Sequence, residues 1–142
     1  MDDTDRVTGV IVDVAMRLHR RLGPGLLESV YEQLLAAKLD QSGFLVERQK
    51  PLGLEFEGIH IEKAFRADLV VNGSVFVEVK SVEQLQPLHG KQLLTYLRIA
   101  NQPVGLLINF GGAVLKDGLK RIVNNYADLS ASPRLRVNQK ES

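Results

Sequence analysis

One stretch constrains this chain more than any other: Ala67-Asp68-Leu69-Val70-Val71-Asn72-Gly73-Ser74-Val75-Phe76-Val77-Glu78-Val79-Lys80. Two Val-rich runs flank Asn72-Gly73, the strongest short-range signal for a β-hairpin. Three charged residues interrupt these apolar runs: Asp68 in the first, Glu78 and Lys80 in the second. Strands of this composition carry carboxylates where the charges face solvent, a partner or a metal.

Whether the charges meet is a question of parity. Side chains alternate along a strand, so Glu78 and Lys80 share a face and Val79 takes the other. A two-residue loop of Asn72-Gly73 would set Asp68 opposite Val77, pointing away from Glu78. A three-residue loop, either Val71-Asn72-Gly73 with a bulge at Gly73 or Asn72-Gly73-Ser74, puts Asp68, Glu78 and Lys80 on one face. The sequence therefore predicts a three-residue loop or an equivalent bulge.

Such a cluster suits metal-assisted hydrolysis of a phosphodiester. Two carboxylates and the Val79 carbonyl are hard oxygen ligands of the kind Mg²⁺ takes while keeping several waters. A metal there lowers the pKa of a bound water, and Lys80 orients that water or stabilises charge on the phosphate. Taken alone, Asp followed by Glu-x-Lys is a loose pattern, more readily read as a surface Glu-Lys pair with a solvated Asp68.

At 142 residues the chain reads as one domain spanning 1–126 with a core of its own, followed by a polar, aperiodic segment, 127–142, that reads as a disordered tail. Its 44% hydrophobic and 25% charged residues are ordinary globular values. No run approaches the roughly 20 apolar residues of a membrane span. The acidic start Met1-Asp2-Asp3 is unlike a signal peptide, and with no cysteine there is no disulfide framework or thiolate metal site, so a cytoplasmic location is expected. A net charge of +1 gives no bulk electrostatic argument for nucleic acid, so phosphate binding would come from a local patch.

Along the chain, Val7, Val10, Ile11, Val14, Ala15 and Leu18 follow helical spacing, predicting a helix capped by Thr4 or Asp5 and running to about Leu22. After Gly23-Pro24-Gly25, a second helix is expected to start at Pro24 or Gly25, carry Leu27, Val30, Tyr31, Leu34, Leu35 and Leu39, and stop at Ser42-Gly43. Glu28 falls in its first turn, where a carboxylate favours the helix dipole, with Tyr31 three residues on. Three short strand-like runs follow: Phe44–Gln49, Leu52–Glu57 and Phe65–Val71, the middle one turning Leu54, Phe56 and Ile59 inward. His60 has no companion at ligand spacing, so no zinc site is read. A helix from Leu88 to Ala100 carries Gln92 and Tyr96 on one face, flanked by His89 and Lys91. Val104–Phe110 reads as a central strand, and 116–123 as a last strand or short helix. The resulting class is α/β, a mixed α+β sandwich around one sheet.

Gly25-Leu26-Leu27-Glu28-Ser29-Val30-Tyr31 spells Gly-x-x-Glu-x-x-Tyr. With Asp68, Glu78-Val79-Lys80, Gln92-Leu93-Leu94-Thr95-Tyr96-Leu97 and Gly105-Leu106-Leu107-Ile108-Asn109-Phe110-Gly111, the chain closely resembles the GxxExxY protein family, assigned to the PD-(D/E)XK nuclease-like superfamily. The resemblance covers about residues 7 to 124. Each motif is weak alone, but five in order make a specific match.

The resemblance implies a restriction-endonuclease-like core, a mixed central sheet flanked by helices. It implies Glu28, Asp68 and Glu78 as acidic ligands of Mg²⁺ or Mn²⁺, Lys80 as the catalytic lysine and Gln92 as the polar residue of the neighbouring helix. Tyr31 and Tyr96 match motif positions and read as core residues or as supports behind the site. Ala67 stands where the superfamily name has proline, and Lys91 where a small residue is expected before Gln92.

Two functions follow. One is a Mg²⁺-dependent nuclease acting on DNA, structure-selective, homodimeric or recruited by a protein partner, since so small a core carries no appended DNA-reading element. The alternative is a catalytically silent module that binds nucleic acid or protein and keeps the nuclease-like fold. No Gly-x-Gly-x-x-Gly, Walker loop or Ser/Cys-His arrangement supports a small-molecule enzyme.

Overall fold

The computed structural model describes residues 3–125, so the expected tail at 127–142 lies outside the described residues. Helix α1 (Asp3–Leu22) buries Val7, Ile11, Val14 and Ala15 along one stripe. Asp3 and Asp5 sit at its positive end and His19, Arg20 and Arg21 at its negative end. Thr4 and Asp5 lie inside the helix and do not cap it, because Asp3 already occupies the first turn and pairs with Arg6 at 3.0 Å.

Helix α2 (Glu28–Gln41) starts later than Pro24 or Gly25. The Tyr31 hydroxyl explains the delay: it donates to the Gly23 carbonyl and accepts the Leu26 N–H at 3.1 Å. Those groups therefore have partners outside any helix, and the loop stays extended up to Leu27. At its far end α2 stops as the Ser42-Gly43 signal predicts. Gly43 adopts φ 92°, and Phe44 N–H reaches back to the Leu39 carbonyl at 3.2 Å.

Strands β1 (Val46–Phe56) and β2 (Ile59–Val71) form one long antiparallel ribbon. The two runs expected at 44–49 and 52–57 are therefore a single strand. Lys50 and Pro51 continue the ladder opposite Ala67 and Arg66, and Pro51 is tolerated because β1 is a sheet edge. A bulge falls between Leu52 and Leu54, where a side chain on Gly53 would meet the Ile61 and Glu62 carbonyls at 3.0 Å. The ribbon turns through Glu57-Gly58, both at positive φ. Phe56 and Ile59, expected to face inward, are exposed, as is Ile61 beside them, because this end of the ribbon joins neither core cluster.

Strand β3 (Val75–Lys80) pairs antiparallel with β2 and parallel with β4 (Val104–Asn109). Parallel neighbours need a crossover, supplied by helix α3 (Pro87–Ala100), with proline at its first turn and Asn101 closing it at φ 55°. A short 3₁₀ turn (Leu115–Gly118) leads into edge strand β5 (Leu119–Val123), so the segment expected to be strand or helix is both. The result is a five-stranded mixed sheet in the order β1-β2-β3-β4-β5.

The sheet separates two cores. On one side Leu69, Val71, Val77, Val79, Leu106 and Ile108 pack against α1 and α2, with Tyr31 stacked on Phe110 at 4.5 Å. On the other, Val70, Phe76 and Leu107 pack against Leu93, Leu97 and Ala100 of α3. Among the described residues no helix is long and apolar enough to cross a membrane.

Candidate active site

Asn72 and Gly73 take φ 52° and 69°, and Val71 pairs with Val75, so the β2–β3 loop is Asn72-Gly73-Ser74. Asn72 is fixed further by exchanging hydrogen bonds with Leu45 at 2.8 and 2.9 Å. The ladder runs Val71↔Val75, Val70↔Phe76, Leu69↔Val77, and then stops. The next facing pair is Asp68 and Glu78, as a three-residue loop demands.

At that pair side chains replace the ladder. The Asp68 N–H donates to Glu78 Oε2 at 2.9 Å, and the Val79 N–H donates to Asp68 Oδ2 at 2.9 Å. The strands fork here, and each carboxylate is fastened to the other strand's backbone. The outer side of Asp68 is irregular too. Leu69 packs toward α1 and α2, whereas Ala67, two residues away, packs toward α3. Strict alternation would keep both on one face, so β2 turns over at Asp68. Across the ribbon Gln49 takes φ 51° and has no ladder partner.

Glu78 is 6% exposed. Burial, then the negative charge of Asp68, push its carboxyl up from 4.5 to about 8, with Glu32 adding to the rise; the Asp68 N–H bond and the Lys80 ammonium pull the other way. Lys80 ends β3 within electrostatic reach of Glu78. The backbone just beyond is clamped: the Lys80 carbonyl accepts Phe110 N–H at 2.8 Å, and Asn109 bonds both the N–H and the carbonyl of Val82 at 3.0 and 2.9 Å.

Glu28 reaches the same end of β3, but its Oε2 accepts the Ser81 N–H at 3.2 Å, and the Ser81 hydroxyl bonds the Leu26 carbonyl at 2.9 Å. The charge from α2 that acts on Glu78 is instead Glu32, one turn further along. Among the described residues no three His, Asp or Glu side chains form a group suited to a metal, so Glu28, Asp68 and Glu78 do not close into a triple here. Gln92 is exposed on α3 and makes no hydrogen bond with Asp68 or Glu78. Tyr96, one turn along, stacks on Phe65 at 4.2 Å. The pKa of its hydroxyl is raised by burial and then by the charges of Glu78 and Asp68. Tyr31 is wholly buried and holds the loop before Glu28.

Two residues that sequence reasoning missed belong to this site. Glu32, 4% exposed, accepts Arg48 Nε and NH2 at 3.2 and 3.0 Å and Gln49 Nε2 at 2.6 Å. Gln49 Nε2 also lies 3.3 Å from Asp68 Oδ1. The available signal was Arg48-Gln49, a polar pair amid strand residues that needed a buried acceptor.

The donor set fits a divalent cation. Mg²⁺ is held by one or two carboxylates with waters completing its shell. Asp68 and Glu78 face each other at the fork, and Glu78 Oε1, on a buried carboxylate, has no hydrogen-bond donor among the described residues. A cation between them would offset the burial, and then the Asp68 charge, that together keep a proton on Glu78.

A mixed sheet between helical layers, with Asp and Glu-x-Lys at the fork of an antiparallel pair, defines a restriction-endonuclease-like nuclease core. The model of the PD-(D/E)XK nuclease superfamily matches residues 5–122, and the chain belongs to that superfamily. The mixed α+β architecture is consistent with its restriction-endonuclease-like fold. Neither the curated proteins nor the solved structures yielded a match to the chain.

Proposed function

We propose that this chain is a metal-dependent nuclease of the GxxExxY kind that hydrolyses DNA phosphodiester bonds, using Mg²⁺ or Mn²⁺. The observation that carries this reading is the Asp68–Glu78 pair, two opposed carboxylates of which one is buried and too crowded to ionise at its ordinary pH. Asp68 and Glu78, with the Val79 carbonyl, would hold the metal, which when bound activates water and offsets phosphate charge. Lys80 would orient the attacking water or steady the developing negative charge on phosphate. Glu28 would join as a ligand by leaving the Ser81 N–H, and Gln92 would contact the substrate from α3. The near-neutral charge supports recruitment by a protein partner or a homodimer, and the absence of cysteine supports a cytoplasmic location.

A catalytically silent module that binds nucleic acid or protein has one observation in its favour: Glu28 is bonded to backbone, outside the carboxylate pair. Calorimetric titration of wild type and Asp68→Ala with Mn²⁺ separates the two. The nuclease reading expects binding by wild type that is lost in the variant. No binding by wild type, even with a DNA oligonucleotide present, would leave the pair as architecture and favour the silent module.

A further inference from the structure

We propose that Gln49 and Glu32 are positioning residues for Asp68, a relay that anchors the metal-binding carboxylate to helix α2. The inference rests on the nuclease reading above and adds two residues to it.

The backbone at Gln49 supplies the first argument. A glutamine at φ 51° occupies a region that glycine and asparagine enter readily and most residues avoid. Along a regular strand Arg48 and Gln49 would point to opposite faces. The left-handed turn at Gln49 lets both reach one carboxylate, that of Glu32. The register passes from Arg48↔Leu69 to Lys50↔Ala67 with no bonded pair between them, so the same turn opens the ladder beside Asp68.

The hydrogen bonds supply the second. Gln49 lies between two carboxylates, Glu32 at 2.6 Å and Asp68 at 3.3 Å, and only its NH₂ can donate to both. Glu32 is buried, and its three donors among the described residues are all on Arg48 and Gln49, so its own place is fixed. Asp68 is thereby held from two sides: Oδ2 by the β3 backbone, Oδ1 through Gln49 by α2. Without the amide, the Asp68 carboxylate keeps only the Val79 bond among the described residues and its Oδ1 is free to move. A carboxylate placed in advance binds a cation without first paying that reorganisation.

Mn²⁺ titration by calorimetry, with thermal unfolding in EDTA, tests this on wild type, Gln49→Leu and Gln49→Gly. The expected result is Mn²⁺ affinity at least tenfold weaker in both variants. Gln49→Gly should unfold within a few degrees of wild type, because glycine adopts the left-handed turn freely. If Gln49→Leu does not fold, Gln49→Gly carries the test alone. A folded variant with wild-type Mn²⁺ affinity would overturn the relay and leave the nuclease reading standing. Wild type that binds no Mn²⁺ would overturn both.

Discussion

Asp68 and Glu78 hold each other's strand: the Asp68 N–H bonds Glu78 Oε2 and the Val79 N–H bonds Asp68 Oδ2, each at 2.9 Å, where the β2–β3 ladder ends. The carboxylates take over the work of backbone hydrogen bonds and so become fixed relative to one another. Ionising Glu78 is then in conflict first with its burial and second with the charge of Asp68. A site built to receive a cation has this character, since the ion supplies the missing positive charge.

That conflict predicts a pH dependence in the metal-free protein. The Glu78 carboxyl sits at about 8 in the folded chain against 4.5 for an ordinary one, so the folded state holds its proton more tightly. The associated stability is full below pH 4.5, is lost as pH rises, and is gone above about 8. Over that window the slope approaches ~1.4 kcal/mol per pH unit. In EDTA, urea unfolding of wild type should therefore weaken between pH 5.5 and 8 relative to Glu78→Gln, which cannot ionise. Parallel pH profiles for the two proteins would show that Glu78 is not strained.

Tyr31→Phe should cost about 1–2 kcal/mol, because the ring stack on Phe110 survives while the partly buried Gly23 carbonyl and the Leu26 N–H of an exposed residue lose their partner. Denaturant unfolding reads this directly. A change below about 0.5 kcal/mol would mean water replaces the hydroxyl and the loop before Glu28 is held by other contacts.

Gly111 is a close approach between two backbones. A Cβ there would stand 2.3 Å from the Val82 carbonyl oxygen and 2.6 Å from its nitrogen, in the loop that follows Lys80. Gly111→Ala should thus destabilise by about 2–4 kcal/mol or prevent folding, as overpacking against rigid backbone does. Thermal unfolding near that of wild type would show that the loop yields.

Much of this was legible from the chain. Asn72-Gly73 announced its hairpin because left-handed backbone is a local requirement, and parity then placed Asp68 opposite Glu78. The stripes of α1 and α3 followed from periodicity and β4 from a continuous apolar run, both of them local signals. What failed depended on distant partners. The start of α2 is set by the Tyr31 hydroxyl folding back on Gly23 and Leu26, so Glu28 lies at the helix entrance and Glu32 takes the buried place one turn on. The continuity of β1 through Pro51 depends on β2 lying alongside. The polar Arg48-Gln49 pair hinted at a buried acceptor, but neither the left-handed turn of Gln49 nor its two carboxylate partners are marked by neighbouring residues.

The most direct test of the account is cleavage of single-stranded and flapped DNA with Mn²⁺ or Mg²⁺, comparing wild type with Glu78→Gln and Lys80→Ala purified in the same way. The account predicts cleavage by wild type that stops on adding EDTA and falls at least a hundredfold in each variant, with both variants folded. Equal cleavage by wild type and Lys80→Ala would contradict it, because the activity would then not belong to this site.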